Sequence, residues 1–327
     1  MLSSPNFKKG AFQNLSKTPM LAADTNYFAV MRDFFLNKNP DRKPTRQLPS
    51  VKTDLKSLRS LKPVIIWFGH SSYLIHSGGK NILVDPVFSG SASPFSFLIK
   101  AFPGTDVYTA NELPEIDMVI ITHNHYDHLD RELLKQVKSK AKSFCTALGV
   151  GRHLENYKLD PSRIKEMDWW EKMVFPDGIE ITATPARHFS GRGFKRDGTL
   201  WASFVLKLDG YTVFIGGDSG YDTHFKKIGD MYGPFDLVIL ECGQYNDAWP
   251  YIHMNPEETV QAGIDLKARM LLPVHCGKFA LANHSWNEPI ARVVKKAAER
   301  NLNITTPLIG QPVILDLSYP SESWWIP

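Results

Sequence analysis

The sequence predicts an α+β fold in which two β-sheets pack face to face with helices outside. Three observations carry this. Short apolar strands fall in two clusters that meet near residue 175, each strand-first and helix-later. Several of these strands are continuous apolar runs, as in strands buried on both faces. The 327 residues, 43% hydrophobic and 22% charged, are enough to bury a large core.

The elements follow in chain order. Residues 1–60 stand apart as an N-terminal arm with one short candidate helix at 27–36. Within 37–62, Pro40, Pro44 and Pro49 lie among eight basic residues, which predicts an irregular segment lying over the main body. Residues 61–327 read as one body built of two similar halves. Strands are expected at 64–68, 72–76 and 81–84, joined by tight turns such as Ser77-Gly78-Gly79-Lys80. The apolar run 118–122 is a buried strand, and 131–140 a helix. Further strands are expected at 179–183, 201–208, 211–215 and 237–240. Asn255-Pro256-Glu257-Glu258 opens a helix to about residue 267, with Asn as cap and Pro at the first position. A strand at 270–274 and a helix at 286–300 come next. That helix has Glu288 near its start and Lys295, Lys296 and Arg300 near its end, as its dipole favours. A strand at 313–317 closes the series.

Composition removes several functional classes. Lys+Arg exceed Asp+Glu by 38 to 34, a scattered surplus of +4 that does not suit a nucleic-acid partner. No stretch reaches the roughly 18 apolar residues that span a bilayer. The first residues lack the apolar core of an export signal, so a cytoplasmic protein is expected. Three cysteines, Cys145, Cys242 and Cys276, are too few and too widely spaced for a disulfide framework or a Cys-x-x-Cys knuckle. The 12% aromatic content, with eight Trp, leaves room for an apolar ligand pocket or a membrane-facing patch.

The strongest chemical signal is Thr122-His123-Asn124-His125-Tyr126-Asp127-His128, four metal-competent side chains within six residues just after a buried strand. Imidazole and carboxylate are the donors that hold zinc at about 2.0–2.2 Å. His-x-His lets two rings at i and i+2 leave an extended segment on the same side. Asp127 and His128, where the chain turns toward a helix, can face a second ion. Four ligands are needed per ion, so the rest of the chain must supply more. His188, Asp218 and His275 each follow the end of a strand, where side chains converge on a site. Gly216 and Gly217 lack a Cβ and would let the backbone approach bound ions. The total is five His and two Asp, and one bridging Asp gives each ion four protein ligands. A lone His after a strand is usually structural, and His76, His153 and His224 read that way. His70 and His284 flank the expected site loops.

The stretch His123–His128, followed in order by His188, Asp218 and His275, resembles the signature of the metallo-β-lactamase-fold hydrolases. The resemblance runs from Val64 to Pro289. Within that superfamily the chain resembles the N-acylphosphatidylethanolamine-hydrolysing phospholipase D family and its bacterial relatives. The stretches that carry this are Trp67-Phe68-Gly69-His70-Ser71-Ser72, the His123 motif, Gly216-Gly217-Asp218-Ser219-Gly220-Tyr221, and His253-Met254-Asn255-Pro256 with His275-Cys276-Gly277-Lys278. The resemblance implies a four-layer αββα sandwich with the site at one edge of the sheets. It implies that His123, His125 and His188 hold one zinc, that Asp127, His128 and His275 hold a second, and that Asp218 bridges. Mn2+ or Fe2+ would accept the same ligands. His253 matches a family histidine beside the substrate phosphate.

The reaction expected is attack by a metal-bridging hydroxide on a lipid or lipid-like phosphodiester. Asp127 or Asp218 orients the nucleophile, and His253 acts as phosphate donor or general acid. Arg187, Arg192, Lys195 and Arg196 near His188 suit a phosphate or an anionic membrane surface. Trp249, Pro250, Tyr251 and Ile252 suit an acyl pocket, and Tyr126 and Arg192 a substrate contact. Peripheral contact with the inner membrane face and a homodimer are compatible with this reading. A lactonase on the same fold needs the same metals and is the alternative. A non-catalytic metal-bound scaffold is the reading from another class.

Overall fold

The computed structural model describes residues 4–23, 25, 26, 28, 30, 32, 36, 39–193 and 195–326. The elements are β1 Val64–Trp67, β2 Tyr73–Ser77, β3 Lys80–Val84, β4 Ile116–Ile121, α1 Arg131–Val137, β5 Ala141–Ala147, α2 Gly151–Asn156 and β6 Ile164–Met167. They continue with β7 Lys172–Val174, β8 Glu180–Thr184, β9 Ser203–Leu208, β10 Tyr211–Ile215, α3 His224–Tyr232 and β11 Leu237–Glu241. The last are α4 Pro256–Asp265, β12 Leu271–Val274, α5 Glu288–Glu299 and β13 Pro312–Ile314.

Two mixed sheets result. The first runs β13-β1-β2-β3-β4-β5-β6 and the second β12-β11-β10-β9-β8-β7. In the first, the pairs from β13 to β3 are antiparallel and those from β3 to β6 parallel. In the second, β7 to β10 pair antiparallel and β10 to β12 parallel. Each sheet thus repeats the same succession, antiparallel first and parallel after. Both sheets feed one continuous core, with Ile75, Leu83 and Ile120 from the first and Phe204, Phe214 and Leu272 from the second all buried.

Some elements were not anticipated, and each has a local reason. In β5, Lys142 and Ser143 interrupt the apolar run. Lys142 pairs with the Asp117 carboxylate at 2.6 Å while Phe144–Ala147 is buried. Edge strands β6 and β7 carry charges and stay partly exposed. Helix α3 contains Gly229, a poor helix former. A Cβ there would lie 2.0 Å from the Asp265 carbonyl oxygen, so the close crossing of α3 over the end of α4 requires glycine.

Caps explain where helices start. The Asp130 carboxylate accepts from the Glu132 and Leu133 N–H groups at the head of α1. Asn255 and Glu258 form a reciprocal capping box on α4, with Pro256 at the first position. Helix α1 ends at Val137, before residue 140, because the chain enters β5 at Ala141. Strand β13 ends at Ile314, short of residue 317, where Asp316 adopts φ 59°.

The described part of the arm lies on the body. Asn14 brackets His188, donating to its carbonyl at 2.7 Å and accepting from its N–H at 3.1 Å. Val51 donates its N–H to the Ile309 carbonyl at 2.8 Å. The helix expected at 27–36 falls largely outside the described residues. No helix among the described residues is long and apolar enough to cross a membrane.

Candidate metal centre

The expected site side chains come from the C-terminal ends of strands in both sheets. His123 follows β4, His188 follows β8, Asp218 follows β10 and His275 follows β12. The loop after β4 folds back so that His123 Nε2 lies 2.9 Å from His125 Nδ1, and His188 Nε2 reaches the same atom at 3.2 Å. Asp218 stands between two groups. Its Oδ2 is 3.7 Å from the Nε2 atoms of both His123 and His188. Its Oδ1 is 3.2 Å from His128 Nε2 and 3.1 Å from His275 Nδ1. Asp127 Oδ2 lies 3.6 Å from His128 Nε2 and 4.0 Å from His275 Nε2.

Among the described residues, three sets of donors converge closely enough to hold an ion. One is His123, His125, His188 and Asp218; the second is His70, Asp127, His128 and His275; the third is Asp218, Glu241, His253 and His275. The seven side chains named from the sequence all fall in the first two sets. His70, expected only at the flank, joins the second, with Nε2 3.0 Å from Asp127 Oδ2.

The donor atoms fit a metal by what they lack. His128 Nε2, His275 Nε2 and Asp218 Oδ1 are buried, and despite their short mutual distances none makes a hydrogen bond of good geometry. Buried polar atoms of that kind are costly unless something else engages them. The opposite ring atoms are committed. His128 Nδ1 lies 2.8 Å from Asp85 Oδ2, and His188 Nδ1 lies 2.8 Å from the Ile252 carbonyl oxygen. Such contacts fix ring orientation and turn the other nitrogen inward.

Asp85 does more than hold His128. It accepts from the Thr122 N–H at 2.8 Å and the Thr122 hydroxyl at 2.6 Å, and that hydroxyl lies 3.0 Å from His123 Nδ1. One carboxylate therefore orients a histidine of each set. Its sequence signal is weak, an Asp closing the strand Asn81-Ile82-Leu83-Val84.

Glu241 was also not read from the sequence. It is buried at the end of β11, with Oε2 2.6 Å from His253 Nδ1 and Oε1 accepting from the Ser219 N–H at 2.6 Å. The His253 ring stacks on His275 at 5.3 Å.

Burial dominates the electrostatics. It drives His125 down to about 3 and lowers His123, His188, His253 and His275, so these rings stay neutral and able to ligate. Burial also pushes Asp218 up to about 6 and Glu241 well above the carboxylate range. His128 goes the other way. Burial lowers it, but the Asp218, Asp127 and Asp85 carboxylates outweigh that and hold it well above the usual imidazole value.

The remaining expectations divide. Tyr126 and Arg192 sit together, the guanidinium 4.0 Å above the ring, and both line a cavity of about 380 Å³ beside the motif. Trp249 donates its indole N–H to the Gln244 carbonyl at 3.0 Å, pinning the turn that leads to His253. Arg187 is not available to bind a phosphate. Its guanidinium donates to Thr18, Tyr221 and Lys17 at 3.0–3.1 Å and so clamps the arm. Gly216 and Gly217 serve a different need from the one expected. A Cβ on Gly216 would lie 2.7 Å from the Ile239 carbonyl oxygen, and one on Gly217 (φ +59°) 2.9 Å from the Thr122 side chain. Close packing of protein on protein, not approach to an ion, demands glycine there. His76, buried against Asn81, and His153, against Asn124, are packing residues as expected. His284 accepts from the Gln244 N–H at 2.9 Å.

The chain is similar to known proteins over most of its length. A family model described as Beta-lactamase superfamily domain matches residues 80–276. An uncharacterized protein of Mycobacterium tuberculosis is 36% identical over 326 residues, covering 98% of this chain and 87% of that protein. The N-acyl-phosphatidylethanolamine-hydrolyzing phospholipase D, mitochondrial, of Saccharomyces cerevisiae is 34% identical over 238 residues, 68% of this chain and 49% of the yeast protein. Among solved structures, Igni18, a metallo hydrolase from Ignicoccus hospitalis, superposes with a TM-score of 0.61 at 20% identity, covering 79% of this chain and 100% of that one.

Proposed function

Because the chain belongs to the metal-dependent hydrolases of the beta-lactamase superfamily, we propose that it is a dinuclear phosphodiesterase of the phospholipase D type acting on N-acylphosphatidylethanolamine-like lipids. The observation that carries this reading is the convergence of two His/Asp sets on the two oxygens of Asp218. His123, His125 and His188 would hold one ion, Asp127, His128 and His275 the other, and Asp218 would bridge. Zinc suits these donors, and Mn2+ or Fe2+ would be accepted. Two divalent ions at such a site make water nucleophilic at neutral pH and offset charge on a phosphoryl oxygen.

The protein's own groups supply the rest. Asp127, at the rim of the site, orients the attacking water. Burial keeps the Glu241 carboxyl protonated, so its O–H donates to His253 Nδ1 and the neutral ring carries its proton on Nε2, which it presents to the phosphate as donor or general acid. Tyr126 and Arg192 line the polar cavity beside the motif and bind the headgroup, and Trp249, which pins the turn before His253, contacts the acyl chain. The yeast relative's named activity supports the lipid class. The reading places the enzyme in the cytoplasm, working at the inner face of the membrane.

Elemental analysis combined with bis(p-nitrophenyl) phosphate hydrolysis, before and after chelation, tests this. About two ions per chain with chelator-sensitive turnover, followed by turnover of the lipid, is the expected result. Two ions with lactone opening and no phosphodiester turnover would assign the chain to the lactonases. One ion or none in protein purified without chelator would sink the dinuclear assignment.

A further inference from the structure

Exposed large apolar side chains are scattered over most of the surface, but three of them occur within four residues. Phe95, Phe97 and Leu98 are 58%, 69% and 54% exposed. They occupy the tip of an ordered hairpin. Its base is closed by the Ser91–Lys100 bridge, by Ala92 N–H to the Ile99 carbonyl at 2.9 Å, and by Ala101 N–H to the Gly90 carbonyl at 3.0 Å. Its root packs on Phe279, on the same loop as His275. The tip is therefore an exposed apolar patch, anchored at its base, on the loop that borders the metal centre.

We propose that this hairpin tip inserts into the surface of a lipid bilayer and docks the site on it. The inference rests on the lipid reading for its purpose, but its binding step stands apart from catalysis. Three side chains fall far short of the roughly 800 Å² per partner that a stable protein interface buries. A bilayer needs no matching contour. The hairpin from Ser89 to Ala101 carries one cation, Lys100, and no acid, which suits an anionic surface. Behind the tip the hairpin turns polar. Serines of its inner wall face the 380 Å³ cavity that Tyr126 and Arg192 also line, and the Ser91 hydroxyl there is buried without a partner. With the tip in the acyl layer, that polar cavity would sit at headgroup level, beside the metal motif.

The test uses the full chain and vesicles of phosphatidylethanolamine with phosphatidylglycerol. Wild type should co-sediment, and the triple variant Phe95→Ser, Phe97→Ser, Leu98→Ser should bind about a hundredfold more weakly, with bis(p-nitrophenyl) phosphate turnover unchanged. Phe97→Cys carrying an environment-sensitive fluorophore should shift blue on vesicle addition; the native cysteines are buried and stay unlabelled. Equal vesicle binding by wild type and triple variant, or no blue shift, overturns the proposal. So does a change of oligomeric state in the triple variant with vesicle binding intact, which would make the tip a contact between copies. Vesicle binding through the tip by a chain inert on every phosphodiester would leave docking standing and remove the phosphodiesterase reading.

Discussion

His253 and Glu241 form a buried pair in which the ring Nδ1 lies 2.6 Å from carboxyl Oε2, and Glu241 has no exposed surface. The contact occupies one ring nitrogen and leaves Nε2 for another partner. It makes Glu241 a positioning group, since it reaches the reaction only through His253.

Glu241→Ala should therefore lower kcat by about 10- to 100-fold, the usual cost of losing an orienting partner, with metal content unchanged. Steady-state kinetics with elemental analysis on the same sample reads both. Loss of an ion from the variant would instead make Glu241 a ligand, as the third donor set allows.

Asp218 and Asp127 should differ in what they hold. Asp218 contacts both histidine sets, whereas Asp127 contacts only the second. Asp218→Asn should weaken both ions, and Asp127→Asn mainly one. Metal-to-protein ratios after mild chelation separate the two variants, and equal losses would refute the bridging role.

Asp85→Ala removes the acceptor for Thr122 N–H, the Thr122 hydroxyl and His128 Nδ1. Each buried donor left unpaired costs about 1–3 kcal/mol, so folding should weaken by at least about 2 kcal/mol. Metal affinity should also fall about 10- to 100-fold. Competition against a fluorescent chelator measures the second effect, urea unfolding the first.

His224 gives a pH test outside the donor sets. It is buried beside Ser219, and burial drives it down to about 4. Between pH 6.5 and 4 the unfolded chain takes up a proton there that the folded chain refuses. Its contribution is thus fully present above about pH 6.5 and lost as pH falls toward 4, amounting to at most about 3 kcal/mol. In chelated protein, His224→Gln should flatten the fall in unfolding free energy across that window. An unchanged slope would contradict it.

The parts of this site legible in the sequence are those whose chemistry is local. His123, His125, Asp127 and His128 declare themselves by spacing, and His188, Asp218 and His275 by following apolar strands. Asp85, Glu241 and His70 act through partners 37 to 57 or 12 residues away, and no short pattern marks a side chain whose purpose is to hold another. The same holds for the fold. Strands such as Ile116–Ile121, apolar but for Asp117, are easily read, whereas Ala141–Ala147 mixes a charged solvent end with a buried one. Gly229 hides α3 because its reason lies in α4, across a crossing that only the folded chain reveals.

Strand β13 returns from residues 312–314 to pair with β1 at residues 64–66. A ribosome delivers these partners far apart in time. Until the second partner is made, the outer rim of the first sheet stays open, an invitation to wrong pairings that a growing chain must survive. The sheet gains its last neighbour only after every histidine of the centre has emerged, so slow translation or scarce chaperone help would be felt first as aggregation and not as faulty metal loading.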